Sequence, residues 1–555
     1  MLKSSLVFLA VMFLTVPMVQ GADKGQVDLD KATDLQLKAE TLAELKEVAD
    51  LCESAIKKGL DKDNVKFAKR LITSSLYQRA DRYVKRIERI FNQRRRINRE
   101  QLKDLRGAAL KDLNRLIKHN AEYGNAWLAI GRLQAIQGGD RKKAVEAANR
   151  AVKIYKDNKN KRVEALLLRS QVVKDDKKKL ADLSEAIKLA PNNQRIWQAR
   201  FQHYIAKGQL DNAIGDLKNR IKANPKNDRL KLMLAELYGT SKKYDDAFKL
   251  IDAIIKKKPQ LFLAYQTRAR INISKGDFKA GIKDLTEGLK VKPNDIGTIL
   301  LRGELNLRAK LLKAAREDAT EALKLSRGIP QAIRQATLLR IRVSAEEKKF
   351  PEAIRDTITL ISREPAGSGF ANQLQLQLAF YYVADKRPRR AIKVYDLLLK
   401  TNEANFLARQ ARADTALSIG AHKKAIGDYE LLLKQRPKSD NILNNLAWTL
   451  ATSPDKEVRN GKRAIQLSVR ACEATKYQKP HILSTLAASY AEVGDFKNAI
   501  KWSTKAVEME KKLKIKNISA QLQKELDSYR KKKPWRERQN IKENPAPLGK
   551  NLIEA

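Results

Sequence analysis

Histidine is the side chain best suited to proton transfer or metal binding near neutral pH, and the four in this chain, His119, His203, His422 and His481, have no metal-ligand spacing among them. A zinc protease would carry His-Glu-x-x-His, a nucleotide hydrolase a loop ending in Gly-Lys-Ser/Thr, a dinucleotide enzyme a glycine fingerprint and a thiol oxidoreductase Cys-x-x-Cys. None of these occurs in the sequence. Each histidine reads as an ordinary surface or turn residue. The two cysteines, Cys52 and Cys472, stand near opposite ends of the chain and read as small buried hydrophobes rather than as a disulfide. No catalytic residue, cofactor or metal is expected.

The remaining chemistry is charge. The 113 Lys and Arg outnumber the 64 Asp and Glu by 49, enough to create a long-range field that attracts polyanions. The runs Arg94-Arg95-Arg96, Lys177-Lys178-Lys179 and Lys256-Lys257-Lys258 read as solvated helix ends or turns, where cations face the negative end of the helix dipole. At the N-terminus Lys3, an apolar stretch from Leu6 to Val19 and Gly21 before Ala22 have the layout of a secretory signal peptide. Cleavage after Gly21 and export to the periplasm or cell envelope, or secretion, are expected. No transmembrane span is expected after its removal, and no cysteine near the cut suggests a lipid anchor.

The elements that position these charges are helices. With 15 prolines and 24 glycines in 555 residues the chain is too poor in turn formers for an all-β fold. Pro191, Pro225, Pro259 and Pro293 recur every 34 residues, as do Ala213, Ala247, Gly281 and Ala315. A small residue on that beat marks a close crossing of two helices. In the segment 228–261 the residues Leu232, Leu234, Ala235, Leu237 and Tyr238 form one apolar face, and Tyr244, Ala247, Leu250, Ile251 and Ile254 a second. Ser241-Lys242-Lys243 reads as the turn between them. Pro259 should end the second helix, since it lacks an amide donor.

A 34-residue helix-turn-helix period, with Trp127 and Gly131, Trp197 and Tyr204, Ala235 and Tyr238, Ala425 and Tyr429, and Ala487 and Tyr490 on consensus packing positions, resembles the tetratricopeptide repeat (TPR) family. The resemblance covers about residues 123–512. It implies an all-α, right-handed α-solenoid of antiparallel helix pairs, about ten to twelve units with the divergent ones. The segments Asn444–Asp455 and Tyr529–Glu537 resemble a variant found in exported repeat proteins of planctomycete-type bacteria. Around this array the reading is a signal peptide over 1–21, a polar leader over 22–40, divergent hairpins over 41–122, a C-terminal capping helix over 513–535 seamed by Ile518, Leu522, Leu526 and Tyr529, and a disordered basic tail over 536–555.

Family geometry places particular first-helix positions on the concave side of the array. Carried over, it makes Arg132, Arg195, Arg229, Arg270, Arg308 and Arg342 candidate groove residues, a stripe able to grip carboxylates or phosphates. Phe380 and Trp448 become candidate apolar anchors. Trp127, Trp197, Tyr238 and Tyr265 fall on packing positions instead, so no specific nucleic-acid partner is expected. Asn444 occupies a position used by peptide-tail clamps, but the matching lysines are missing. The resemblance implies a non-enzymatic scaffold for a partner protein or peptide, an acidic one among those it would admit, with oligomeric state left open. The alternatives are an adaptor for a polyanion, such as an acidic polysaccharide, anionic lipid or nucleic acid, and an auxiliary subunit of an enzyme.

Overall fold

Helix follows helix wherever the apolar stripe recurs, and each break falls where proline, glycine or an Asn or Asp cap interrupts it. A computed structural model describes residues 23–92, 99–513, 519–539 and 541–546. The expected signal peptide, the Arg94–Arg96 run and Ile518 lie outside the described residues. All 27 regular elements among the described residues are α-helices.

The chain forms two compact units, 1–219 and 220–555. The first holds α1 (Asp23–Lys38), α2 (Leu42–Lys58), α3 (Lys62–Asn92), α4 (Arg99–His119), α5 (Gly124–Ala135), α6 (Arg141–Ile154), α7 (Lys159–Val172), α8 (Asp176–Leu189) and α9 (Gln194–Ala206), and the division falls inside α10 (Leu210–Ala223). The second holds α11 (Asp228–Thr240), α12 (Tyr244–Lys257), α13 (Phe262–Lys275), α14 (Phe278–Val291), α15 (Ile296–Arg308), α16 (Leu312–Leu325), α17 (Pro330–Glu346), α18 (Phe350–Ile361) and α19 (Gly369–Ala384). It continues through α20 (Pro388–Thr401), α21 (Phe406–Ser418), α22 (His422–Gln435), α23 (Asp440–Thr452), α24 (Gly461–Ala474), α25 (Pro480–Glu492), α26 (Phe496–Leu513) and α27 (Ser519–Arg530). Within each unit, helices adjacent in sequence pack as pairs, α1 on α2 and α3 on α4 in the first, α11 on α12 through α25 on α26 in the second. The fold is an α-solenoid.

The prolines on the 34-residue beat lie between pairs, and each of three is followed two residues later by an N-cap. Asn193 accepts from the Arg195 amide, Asn227 from Leu230 and Asp295 from Thr298. Such a cap satisfies an otherwise orphaned amide and stabilises a helix by about 1 kcal/mol. Inside the pairs Ala213, Ala247, Ala315, Ala353, Ala391, Ala425, Ala464 and Ala499 are fully buried. At the equivalent Gly281 a Cβ would lie 3.3 Å from Ile273 and 3.4 Å from Leu305, so even a methyl group is at the limit of the space. The turn between paired helices carries one left-handed residue, Lys242, Lys310, Lys348 or Lys386 in four cases and Gly276 or Gly420 in others.

Two expectations are corrected. The polar leader over 22–40 is helix α1 from Asp23 onward: Leu29 and Ala32 are buried, and Asp28 accepts hydrogen bonds from Ser54 and Lys58 of α2, both at 2.6 Å. Its apolar stripe is narrow, so the segment reads as polar until α2 is placed beside it. The basic tail over 536–555 is not loose in its described part, because residues 536–539 and 541–546 bond to the helical array. Before it, α27 closes the second unit with Leu522, Leu526 and Tyr529 buried against α25 and α26.

Candidate interaction surface

The first helix of each pair presents the residues that family geometry assigns to a groove. In the first unit Arg132 of α5 pairs with Glu164 of α7 at 3.2 Å, and Arg195 is exposed in the first turn of α9. In the second unit Arg229 is exposed in the first turn of α11. Arg270 of α13 donates its Nε to Glu236 of α11 at 2.7 Å, and Arg342 of α17 pairs with Glu304 of α15. Arg308 lies over the Phe278 ring, 5.9 Å from its centroid. Three of the six candidate arginines are therefore engaged by a glutamate from the neighbouring first helix. Such exposed pairs stabilise little, about 1 kcal/mol or less, but each cancels one unit of the positive charge that a polyanion would meet.

The two aromatic candidates differ. Phe380 is 63% exposed and Val383, one turn further along α19, is 40% exposed. The Phe380 ring meets Tyr381 edge-on at 6.0 Å, which limits the rotamers open to it. Trp448 is half-buried against the cluster that contains Leu446, Ala447 and Leu450, so it serves packing more than contact. Trp127 and Trp197 are also packed, and each donates its indole N–H at 2.7 Å to a backbone carbonyl of the preceding turn, Ala121 and Pro191 respectively. Asn444 donates to Asn445, which in turn donates to Asp414 and to the Tyr429 hydroxyl.

Two of the four histidines are more buried than the sequence suggests, while His119 is half-buried and His481 exposed. His203 and His422 are below 10% exposed, and burial pushes both rings below the ordinary histidine range. His422 is close to Ser453 Oγ, 2.6 Å from Nδ1, but Ser453 has no exposed surface and a substrate could not reach it. The contact instead ties the lengthened turn after α23 to the start of α22. Both thiols are free and buried, and burial pushes each up to about 12, which makes them inert as nucleophiles. No group of acidic, histidine or cysteine side chains among the described residues could hold a metal ion.

Sequence reasoning overlooked a second set of arginines, which has a structural role. Arg200 pairs with Asp216 in the first unit at 2.7 Å. In the second, Arg268 pairs with Asp284 at 2.7 Å, and Arg302 with Asp318, Arg340 with Asp356 and Arg412 with Asp428 at 2.6 Å. The carboxylates are between 3% and 15% exposed. Arg268 and Arg412 also reach back to Asp252 and Asp396 of the preceding pair, so one guanidinium ties two second helices together. Burial pushes the Asp318 carboxyl up against the pull of Arg302, which means that the pair is an ion pair only while the arginine is there. The signal was present: in all five cases the arginine stands 13 residues before the small crossing residue and the aspartate 3 after it.

Three tetratricopeptide-repeat families match the chain, over residues 106–159, 204–271 and 263–295. No curated protein matches. Among solved structures the chain is similar to a tetratricopeptide repeat protein from Parabacteroides merdae, at 18% identity over 46% of this chain and 97% of that one, with a TM-score of 0.30. It is also similar to MamA from Desulfovibrio magneticus, at 17% identity over 32% and 96% with a TM-score of 0.29. A third is the C-terminal part of a TPR repeat-containing protein from Cytophaga hutchinsonii, at 14% identity over 45% and 98% with a TM-score of 0.36. With the 34-residue period, the buried crossing residues and the family matches in hand, the chain is a tetratricopeptide-repeat protein, and its repeats make it a protein–protein interaction scaffold.

Proposed function

We propose that this protein is a non-catalytic scaffold of the bacterial cell envelope that holds a partner protein or peptide through the first-helix face around α19. The observation that carries this reading is the pair Phe380 and Val383, 63% and 40% exposed and one turn apart on a helix whose other apolar residues are buried or half-buried. A large exposed aromatic beside a branched aliphatic is the kind of anchor that dominates binding energy once a partner desolvates it. The glutamates on Arg132, Arg270 and Arg342 favour this reading over a polyanion adaptor, since they spend three of the cations that an anionic polymer would need. The signal-like layout of Lys3, Leu6–Val19 and Gly21 supports the envelope location, and no helix among the described residues is long and apolar enough to cross a membrane.

The test is capture of partners from an envelope fraction by the full chain and by Phe380→Asp, each at low and high salt. An apolar anchor predicts a partner that survives high salt with the unaltered chain and is lost with Phe380→Asp. A captured species that disappears with salt and ignores Phe380→Asp would overturn the reading in favour of the diffuse positive field.

A further inference from the structure

A stack of helix pairs is ordinarily coupled only through nearest neighbours, so disturbance at one end fades over a repeat or two. The second unit of this protein has a covalent route around that limit. After α27 ends at Arg530 the chain turns at Lys532, in the left-handed region at φ 53°, and runs on without helix through Pro534. Trp535 packs on the C-terminal core. Arg536 pairs with Glu492 at the end of α25 and donates to the Ala451 carbonyl, while the Glu537 amide donates to the Thr452 carbonyl at 2.9 Å. Gln539 lies over the turn between α21 and α22, where a Cβ on Gly420 would be 4.0 Å from its own Cβ. At the turn between α19 and α20 the Asn544 amide donates to the Lys386 carbonyl at 3.0 Å and its side chain to Asp385 at 3.2 Å. Glu543 pairs there with Arg389 at 3.1 Å, and Arg387 donates to the Ala546 carbonyl.

The contacts run in order, 536 on one inter-helix turn, 539 on the one before it and 544 on the one before that, against the direction of the array. From Glu537 to Asn544 is enough extended chain to span about 23 Å, which matches two layers at a helix spacing of about 8–10 Å. Asp385 and Arg387 are only 9% and 4% exposed, a degree of burial unusual for charged residues in an inter-helix turn. They answer each other and the tail, with Arg387 Nε donating to Asp385. Three of these bonds use backbone carbonyls at helix ends or turns, those of Ala451, Thr452 and Lys386, so the tail reads the regular spacing of the repeats.

We propose that residues 534–539 and 541–546 belong to an intramolecular strap that locks the helix pairs from α19 to α26 into one cooperative block. The strap holds the turn edge and leaves the first-helix face around Phe380 to a partner. Release of the strap loosens pairs that lie several repeats away from the C-terminus, and the α19 turn, next to Phe380 and Val383, is the farthest point its described residues reach.

The test compares hydrogen exchange of the full chain, of the full chain with Asn544→Ala, and of a chain ending at Lys533, which keeps α27 and its closing bond from the Lys533 amide to Ser528. The strap predicts that amides 385–387 exchange about tenfold faster in the shortened chain, as expected for one or two lost hydrogen bonds, and that Asn544→Ala produces part of that effect. Placement is tested separately with Gly420→Cys and Gln539→Cys in the full chain, because their Cβ separation suits a disulfide and the equivalent Lys386 shows that a side chain is tolerated at this left-handed position. Oxidation should join the two residues and slow exchange at 385–387. Loosening confined to α25–α27 in the shortened chain, or failure of the two cysteines to join, would overturn the proposal.

Discussion

Glu525 offers the sharpest quantitative check on how the second unit is closed. It lies on α27 with 1% exposure, accepts hydrogen bonds from Ser484 of α25 and from Gln521, and has the buried Tyr529 one turn further on. Burial pushes its carboxyl from 4.5 up to about 7, with the Glu537 carboxylate of the strap adding to the rise. A rise of that size, at about 1.4 kcal/mol per unit, corresponds to roughly 3 kcal/mol between the protonated and ionised forms of the docked helix. The sign follows from proton uptake: the folded group holds its proton at pH values where the unfolded group has lost it. Its contribution to α27 docking is therefore full below about 4.5 and is lost as pH rises through about 7. Glu525→Gln keeps an acceptor for Ser484 and removes the ionisation. Hydrogen exchange of α27 amides should show the variant more protected than the unaltered chain at pH 8, by up to about 3 kcal/mol of local opening free energy, with the gap narrowing steadily toward pH 5. Exchange is preferred to a melting curve because a long repeat array need not unfold in one step. A difference between the two proteins that stays constant from pH 5 to pH 8 would refute the assignment of a buried, proton-holding carboxyl.

The remaining expectations concern the two sets of arginines. Arg302→Ala should strand the buried Asp318 and cost about 3–5 kcal/mol locally around α15 and α16, read by hydrogen exchange; Arg302→Met with Asp318→Leu should recover most of it, and equal loss in both variants would show that packing, not charge, is at stake. Arg270→Gln should weaken binding of an anionic polymer such as heparin no more than Lys249→Gln does, because Glu236 already pairs with Arg270. A larger loss at Arg270 in a salt titration would restore the arginine-groove reading.

What the sequence determined by itself is the repeating unit. The 34-residue beat of Pro191, Pro225, Pro259 and Pro293 and of Ala213, Ala247 and Ala315 is legible because helix periodicity, helix termination and close crossings are local demands on residue type. The same is true of the seam Leu522, Leu526 and Tyr529 on α27. Phe380 could be put on a first-helix face by counting along the repeat, but its exposure depends on which neighbours reach over it. Which arginines are spent was decided by stacking: Arg270 and Glu236 are 34 residues apart and meet only when successive units are laid side by side, whereas the Arg302–Asp318 pair was hidden because its 16-residue interval spans two helices and a turn. Helix α1 reads as a leader because two buried apolar side chains, Leu29 and Ala32, are too few to mark a helix until α2 covers them. The strap lay beyond sequence reading altogether. Arg387 and Ala546 are 159 residues apart, and the tail has no periodicity of its own; it binds carbonyls and side chains of helix ends and turns that line up only after the pairs have stacked. Local patterns specify elements, but contacts between groups this distant in sequence leave no periodic signature, and only the tertiary structure assigns them.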